Sequence, residues 1–167
     1  MKSKLFLTIY LAITSIAAIA QNSDEWTVST LTVNGMHIWD KYSRSQVSAY
    51  LGVPTSYIDS VYSEPVESYV QECHFSDGCS FGFEAYRLTD FRLKTNRFKI
   101  NGIIGVGDNI SKLNQLTGGG PIRSERLKNS NTPYYYYPVL PNADDGIFFY
   151  YNSRNNIITE IYFETLF

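Results

Sequence analysis

The 167-residue chain carries 14 Lys+Arg against 16 Asp+Glu, a formal net charge of −2. Its acids and bases are interspersed, which excludes the clustered positive charge of a nucleic-acid binder and the basic patch of a protein that docks on anionic lipid. With 14 Tyr and 10 Phe, and few Ala or Leu past residue 20, the composition favours strands, in a length that suits one domain or two small fused units.

The chain opens with Lys2 and Lys4, an apolar run from Leu5, and Ala18-Ile19-Ala20 before Gln21. This pattern predicts a secretory signal over 1–20, cut after Ala20. A transmembrane anchor is the alternative; Thr8, Thr14 and Ser15 inside the run, and the small residues at its end, favour the signal. No cysteine lies near the cut, so neither a lipid anchor nor membrane insertion after cleavage is expected, and the mature protein is expected to be periplasmic or secreted.

The remainder reads as one unit written twice, over 21–95 and 96–167. Val33-Asn34-Gly35 matches Ile100-Asn101-Gly102, and each Asn-Gly supplies a tight turn that needs positive φ. Ile38-Trp39-Asp40 matches Val106-Gly107-Asp108. In the first unit Ser43 and Gln46 form a capping box, and Val47 and Leu51, with Tyr50 alongside, give one apolar helix face. Gly52 and Pro54 end the helix. Strands follow at 68–75, 79–86 and 88–95. In the second unit Ser111 is the expected cap, Leu113 and Leu116 the apolar stripe, and the run from Thr117 to Pro121 the stop. Its strands are expected at 134–139, 146–151 and 157–164. The connection Asn152–Ile157 reads as a hairpin loop, with Asn155 or Asn156 at positive φ. Thr89, Phe91 and Leu93 share one strand face with Thr159, Ile161 and Phe163 as their equivalents. Asp90, Arg92, Lys94, Glu160, Tyr162 and Glu164 fall on the other. The predicted fold class is therefore α+β: two tandem repeats, each a short helix on an antiparallel sheet, with the two sheets joined side by side.

Cys73 and Cys79 flank the turn signal Ser76-Asp77-Gly78. Export makes a disulfide the expected state. A metal site using His74 is a rival reading, opposed because His74 points to the other strand face from Cys73; a free thiol pair is the third.

The stretch from Ile38 to Pro54 is similar to the Gly-Met-Thr-x-x-Gln-Val-x-x-x-Leu-Gly-x-Pro signature of the BamE/SmpA-like outer-membrane assembly lipoproteins and to the repeat of the beta-lactamase inhibitory protein family. The matching residues are Ser43, Gln46, Val47, Leu51, Gly52 and Pro54, and Gly107, Asp108, Ser111 and Pro121 in the second unit. Trp39 stands where the second unit has Gly107, and Lys41 stands at the signature glycine. The resemblance implies helix-on-sheet units whose outer sheet face grips another protein. No contact residue of an inhibitor is matched.

Chemistry is poorly supported. His37 and His74 are the only histidines. No nucleophile elbow, paired-histidine zinc motif or phosphate-binding loop is present. Asp144 and Asp145 fall short of a calcium cage. No cofactor and no metal is expected, and a non-catalytic binding role is favoured. Alternate rings of Tyr134–Tyr137 must take opposite faces, and rigid aromatics with a polar tip are enriched at protein interfaces. The candidate partner-binding residues are Tyr135, Tyr137, Phe148, Tyr150, Tyr162, Glu160, Glu164 and Trp39, the last of which alternatively packs on the helix. The expected partner is a protein; a glycan, or a role in cell-envelope assembly, are the alternatives.

Overall fold

A computed structural model describes residues 29–64, 67–120, 122–126, 132–140 and 144–165. The expected signal over 1–20 and the stop residue Pro121 lie outside them. In chain order the elements are β1 (Thr32–Val33), β2 (Met36–His37), α1 (Arg44–Leu51), β3 (Ser56–Ser63), β4 (Ser68–His74), β5 (Ser80–Glu84), β6 (Arg87–Leu93), a 3-10 turn η1 (Ile110–Gln115), β7 (Arg123–Arg126), β8 (Pro133–Pro138), β9 (Gly146–Asn152) and β10 (Ile157–Glu164).

Both Asn-Gly turns form as their chemistry requires. Asn34 and Gly35 take φ of 49° and 88° in a two-residue hairpin turn between Val33 and Met36, and Asn101 and Gly102 take 50° and 67° in a three-residue loop bridged by Ile100 and Ile104. The two turns also bind each other. The Asn34 N–H donates to the Lys99 carbonyl at 2.8 Å, and the Asn101 N–H to the Thr32 carbonyl at 2.8 Å. The Asn101 side chain accepts from the Thr32 N–H at 2.7 Å.

α1 begins at its capping box. The Gln46 N–H donates to Ser43 Oγ at 3.4 Å, and the Ser43 N–H to Gln46 Oε1 at 2.8 Å. Val47 and Leu51 are buried. At the far end Arg97 donates to the Leu51 carbonyl at 2.9 Å, which satisfies one of the carbonyls a helix terminus leaves open.

The predicted α+β class is corrected here. β3 through β10 build a single eight-stranded antiparallel sheet in the order β3-β4-β5-β6-β10-β9-β8-β7, and β1-β2 form a separate ribbon. The fold is mostly β, and a helix-on-sheet unit is not made twice. The second expected helix is only a six-residue 3-10 turn, capped by Asn109, whose side chain accepts from the Ser111 N–H at 3.0 Å. Three residues after the cap Asn109 stands Lys112, which has no acceptor to offer the cap N–H, so no capping box forms. The strand count also exceeds the reading: β3 and β7, the two sheet edges, were not expected.

One face of the sheet carries the core. Phe81, Phe91, Leu93, Phe149, Ile161 and Phe163 pack there with Leu31, Met36 and Ile38 of the N-terminal ribbon, Val47 and Leu51 of α1, and Leu113 of η1. Rings make the continuous contact, with Phe81 and Phe98 centroids 5.0 Å apart and Phe91 and Phe163 5.4 Å. Each such ring, fully buried, contributes roughly 1.5–3 kcal/mol. A β-bulge between Ile158 and Glu160 shifts the phase of β10. Ile158 is therefore buried, and Thr159, expected on the core face, is exposed.

The expected disulfide is not formed: Cys73 and Cys79 are both free and buried. Strand register explains it. Cys73 lies opposite Phe81, while Cys79 accepts at its carbonyl from the Phe75 N–H at 2.9 Å. The thiols are thus diagonal, a geometry that sets Cα atoms about 7–8 Å apart, beyond disulfide reach. Cys79 Sγ instead accepts from the Lys94 N–H at 3.3 Å.

Candidate functional site

Every described element outside the sheet that contributes to the core packs on the face just described. The opposite, outer face carries three zones, and strand register fixes which residues form them.

The first zone is aromatic. Tyr134 pairs with Tyr150, and Tyr136 with Phe148, across β8-β9; Phe148 in turn pairs with Tyr162 across β9-β10. Residues paired across strands share a face, so these five rings lie together. Centroids of Tyr136 and Phe148 are 5.1 Å apart, Tyr134 and Tyr150 5.6 Å, and Phe148 and Tyr162 6.2 Å. Contacts of this kind add about 0.5–1.5 kcal/mol each beyond area burial. The Tyr136 hydroxyl donates to the Asp144 carbonyl, and the Tyr162 hydroxyl to the Glu164 carboxylate. Burial, then that carboxylate, push the Tyr162 hydroxyl well above the usual tyrosine range.

The second zone is acidic. Glu72, Glu84, Asp90 and Glu164 line a cavity of about 240 Å³, together with Val70, Gly82 and Thr165; among the described residues no Lys, Arg or His lines it. Asp90 pairs with Gly82 on one side and Glu164 on the other. Gly82 is what makes room: a Cβ there would sit 1.7 Å from Asp90 Oδ2. Burial raises the Asp90 carboxyl to about 6, helped by Glu72 and Glu164 and opposed by His74. Glu84 Oε2 is buried with no hydrogen-bond partner among the described residues. At the rim Arg92 pairs with Glu160, and His74 Nε2 lies 2.9 Å from Glu72 Oε2.

The third zone is aliphatic. Ile58 and Val61 of edge strand β3 pair with Glu72 and Val70 and are 41% and 52% exposed.

The expected partner-binding residues divide. Phe148, Tyr150, Glu160, Tyr162 and Glu164 come together on the outer face. Tyr135 and Tyr137 do not. Tyr137, 3% exposed, belongs to the core, and Tyr135 packs against it; their register partners Phe149 and Ile147 are core residues. The rings of that strand on the outer side are Tyr134 and Tyr136, themselves only 6% and 8% exposed. Trp39 is also corrected: it is 6% exposed, donates from Nε1 to Thr165 Oγ1 at 2.9 Å, and lies 6.4 Å from the Phe163 ring, so it presents no exposed anchor. The acidic cavity was missed. Its signal was Phe81-Gly82-Phe83, an isolated glycine inside a strand, which marks a close approach by a neighbour. Among the described residues no group of three or more His, Cys, Asp or Glu could hold a metal ion.

No family model matches the chain, and no curated protein matches it. Among solved structures it is similar to an extracellular protein containing an SCP domain from Bacillus anthracis str. Ames, at 12% identity and a TM-score of 0.43, over 76% of this chain and 43% of that one. The chain thus spans less than half the length of that protein, and a likeness of this degree carries no argument about fold or function. Among the described residues no helix is long and apolar enough to cross a membrane.

Proposed function

We propose that this is an exported, non-catalytic binding protein that seats a protein partner on the outer face of its sheet. The observation that carries the reading is the face itself: the half-buried rings of Phe148, Tyr150 and Tyr162, backed by the buried Tyr134 and Tyr136, beside a cavity lined by four carboxylates and no cation among the described residues. Rigid aromatic clusters are the chemistry of interface anchors. The carboxylates define the partner by charge complementarity. It presents a Lys or Arg side chain to the cavity, flanked by apolar side chains that cover Phe148, Tyr150 and Tyr162. The signal pattern over 1–20 supports export, to the periplasm or beyond the cell.

The test pairs capture with mapping. The mature protein is used to capture partners from envelope and culture fractions, and each captured protein is purified and titrated against wild type, Phe148→Ala/Tyr150→Ala and Asp90→Asn. The reading expects at least a tenfold loss of affinity for the double variant, a smaller loss for Asp90→Asn, and weakening with salt. A purified partner that binds all three equally refutes the choice of face.

A further inference from the structure

We propose a second, independent binding site: the groove between η1 and the β8-β9 pair, on the core side of the sheet, which takes a neutral saccharide. The groove encloses about 490 Å³, within the range of roughly 300–1,000 Å³ typical of small-molecule sites. Two rings and four polar side chains set its chemistry: Tyr135, Tyr151, Asn109, Ser111, Asn114 and Asn156. The Tyr135 and Tyr151 centroids lie 5.4 Å apart with their planes 31° from parallel, a stepped, tilted pair of rings that makes a small aromatic platform. The C–H face of a pyranose is the complementary surface to such a platform, because the ring faces are electron-rich and apolar.

The rim supplies what sugar hydroxyls need. A hydroxyl both donates and accepts, and a carboxamide offers both functions on one flat group. Asn109 spends its oxygen on the Ser111 N–H at 3.0 Å, which fixes the amide and leaves its NH₂ as a donor. Asn114, Asn156 and Ser111 are exposed at the rim, where their side chains are open to a ligand's hydroxyls. Among the described residues no Lys, Arg, His, Asp or Glu lines the groove, so none of them offers a counter-charge to a phosphate or carboxylate. The two walls are tied together. The Ile110 N–H donates to the Asn156 carbonyl at 2.9 Å, and Asn109 bridges to Ile157. The polar groups are thus held at a set distance from the rings rather than on a free loop.

The experiment uses the mature protein against an array of neutral gluco-, galacto-, manno- and N-acetylglucosamine oligosaccharides, with hits measured by saturation-transfer NMR and titration calorimetry. Three variants are compared. Tyr151→Ala removes half the platform. Asn114→Ala/Asn156→Gly removes two amides while glycine keeps the left-handed turn that Asn156 occupies at φ 59°, so folding is preserved if the tyrosine variant fails. Phe148→Ala/Tyr150→Ala disturbs only the outer face. The expected result is a neutral oligosaccharide that binds wild type, loses at least tenfold in affinity with Tyr151→Ala and several-fold with the amide variant, and is unaffected by the outer-face variant. An array without a neutral hit, a hit insensitive to the amide variant, or one abolished only by the outer-face variant overturns the assignment.

Discussion

Asp90 provides a measurement of how closed the acidic cavity is. Its carboxyl rises from 3.8 to about 6, chiefly through burial, then through Glu72 on β4 and Glu164 on β10, with His74 acting in the opposite sense. A rise of about two pH units corresponds to roughly 3 kcal/mol between the protonation states. The sign follows from proton binding. Between pH 4 and 6 the folded protein holds the Asp90 proton more tightly than the unfolded chain, so stability falls as pH rises through that window and the loss is complete above it. Below pH 3.8 both states are protonated and no penalty exists. Asp90→Asn keeps the shape and removes the charge. It should therefore match wild type near pH 3.5 and exceed it at pH 7.5 by up to about 3 kcal/mol, or roughly 6–12 °C in Tm for a protein of this size. Thermal melts of both proteins by circular dichroism from pH 3.5 to 8 give the difference curve, in which the other titrating groups largely cancel. A difference flat across pH 4–6 would refute the buried-carboxyl argument.

Gly82→Ala should destabilise by about 1–3 kcal/mol through the Asp90 clash, and most of that loss should vanish in Gly82→Ala/Asp90→Ala, measured as a denaturant double-mutant cycle. Ser43→Ala should lower the guanidinium midpoint by the equivalent of about 1 kcal/mol, whereas Ser111→Ala should not, because Asn109 caps η1. Burial pushes the Cys73 thiol up to about 12, so a thiol reagent at pH 8 should leave Cys73 unlabelled in the folded protein and label both cysteines in guanidinium without reductant; no labelling in denaturant would show them bridged. Trp39→Gly should cost about 2–4 kcal/mol, since the loss of a buried ring outweighs relief of its left-handed backbone (φ 68°), while partner binding by the folded fraction stays unchanged; binding lost at unaltered stability would restore Trp39 as an anchor.

What could be read in the chain was local, and what was missed depends on pairing. Asn34-Gly35, Asn101-Gly102, the Ser43–Gln46 box and the left-handed Asn156 each carry their own geometry in one or two residues. The phase of Tyr134–Tyr137 does not. Four identical residues hold no period-two signal, and only the register of β8 on β9 sends Tyr134 and Tyr136 outward. The bulge at Thr159 reverses the phase in β10 in the same invisible way. The edge strand β3 escaped because its residues are largely exposed and the register shift between Ile58 and Val61 breaks its period-two pattern. The outer-face residues Phe148, Tyr150, Glu160, Tyr162 and Glu164 were legible because they flank well-patterned core positions. Asp90 was read onto that face too, but its cavity needed Gly82 across the strand to exist.

The two edges bear on which surface is left for recognition. A long flat edge would offer its own backbone to other chains. β3 breaks its pairing between Ile58 and Val61, with Ser60 at φ 43°, which twists the strand and blunts strand addition at that end. At the β3 side the free surface of the sheet is then its face, where side chains rather than backbone select the partner. There the aromatic side chains already pack on one another, and Tyr136 and Tyr162 are further held by hydrogen bonds. Side chains so fixed before contact lose little rotamer freedom on binding, so more of the apolar area they cover is converted into affinity. Tyr134 and Tyr136 are already buried on that side, at 6% and 8% exposed, so the half-buried rings of Phe148, Tyr150 and Tyr162 are the part of the cluster left for a partner to cover.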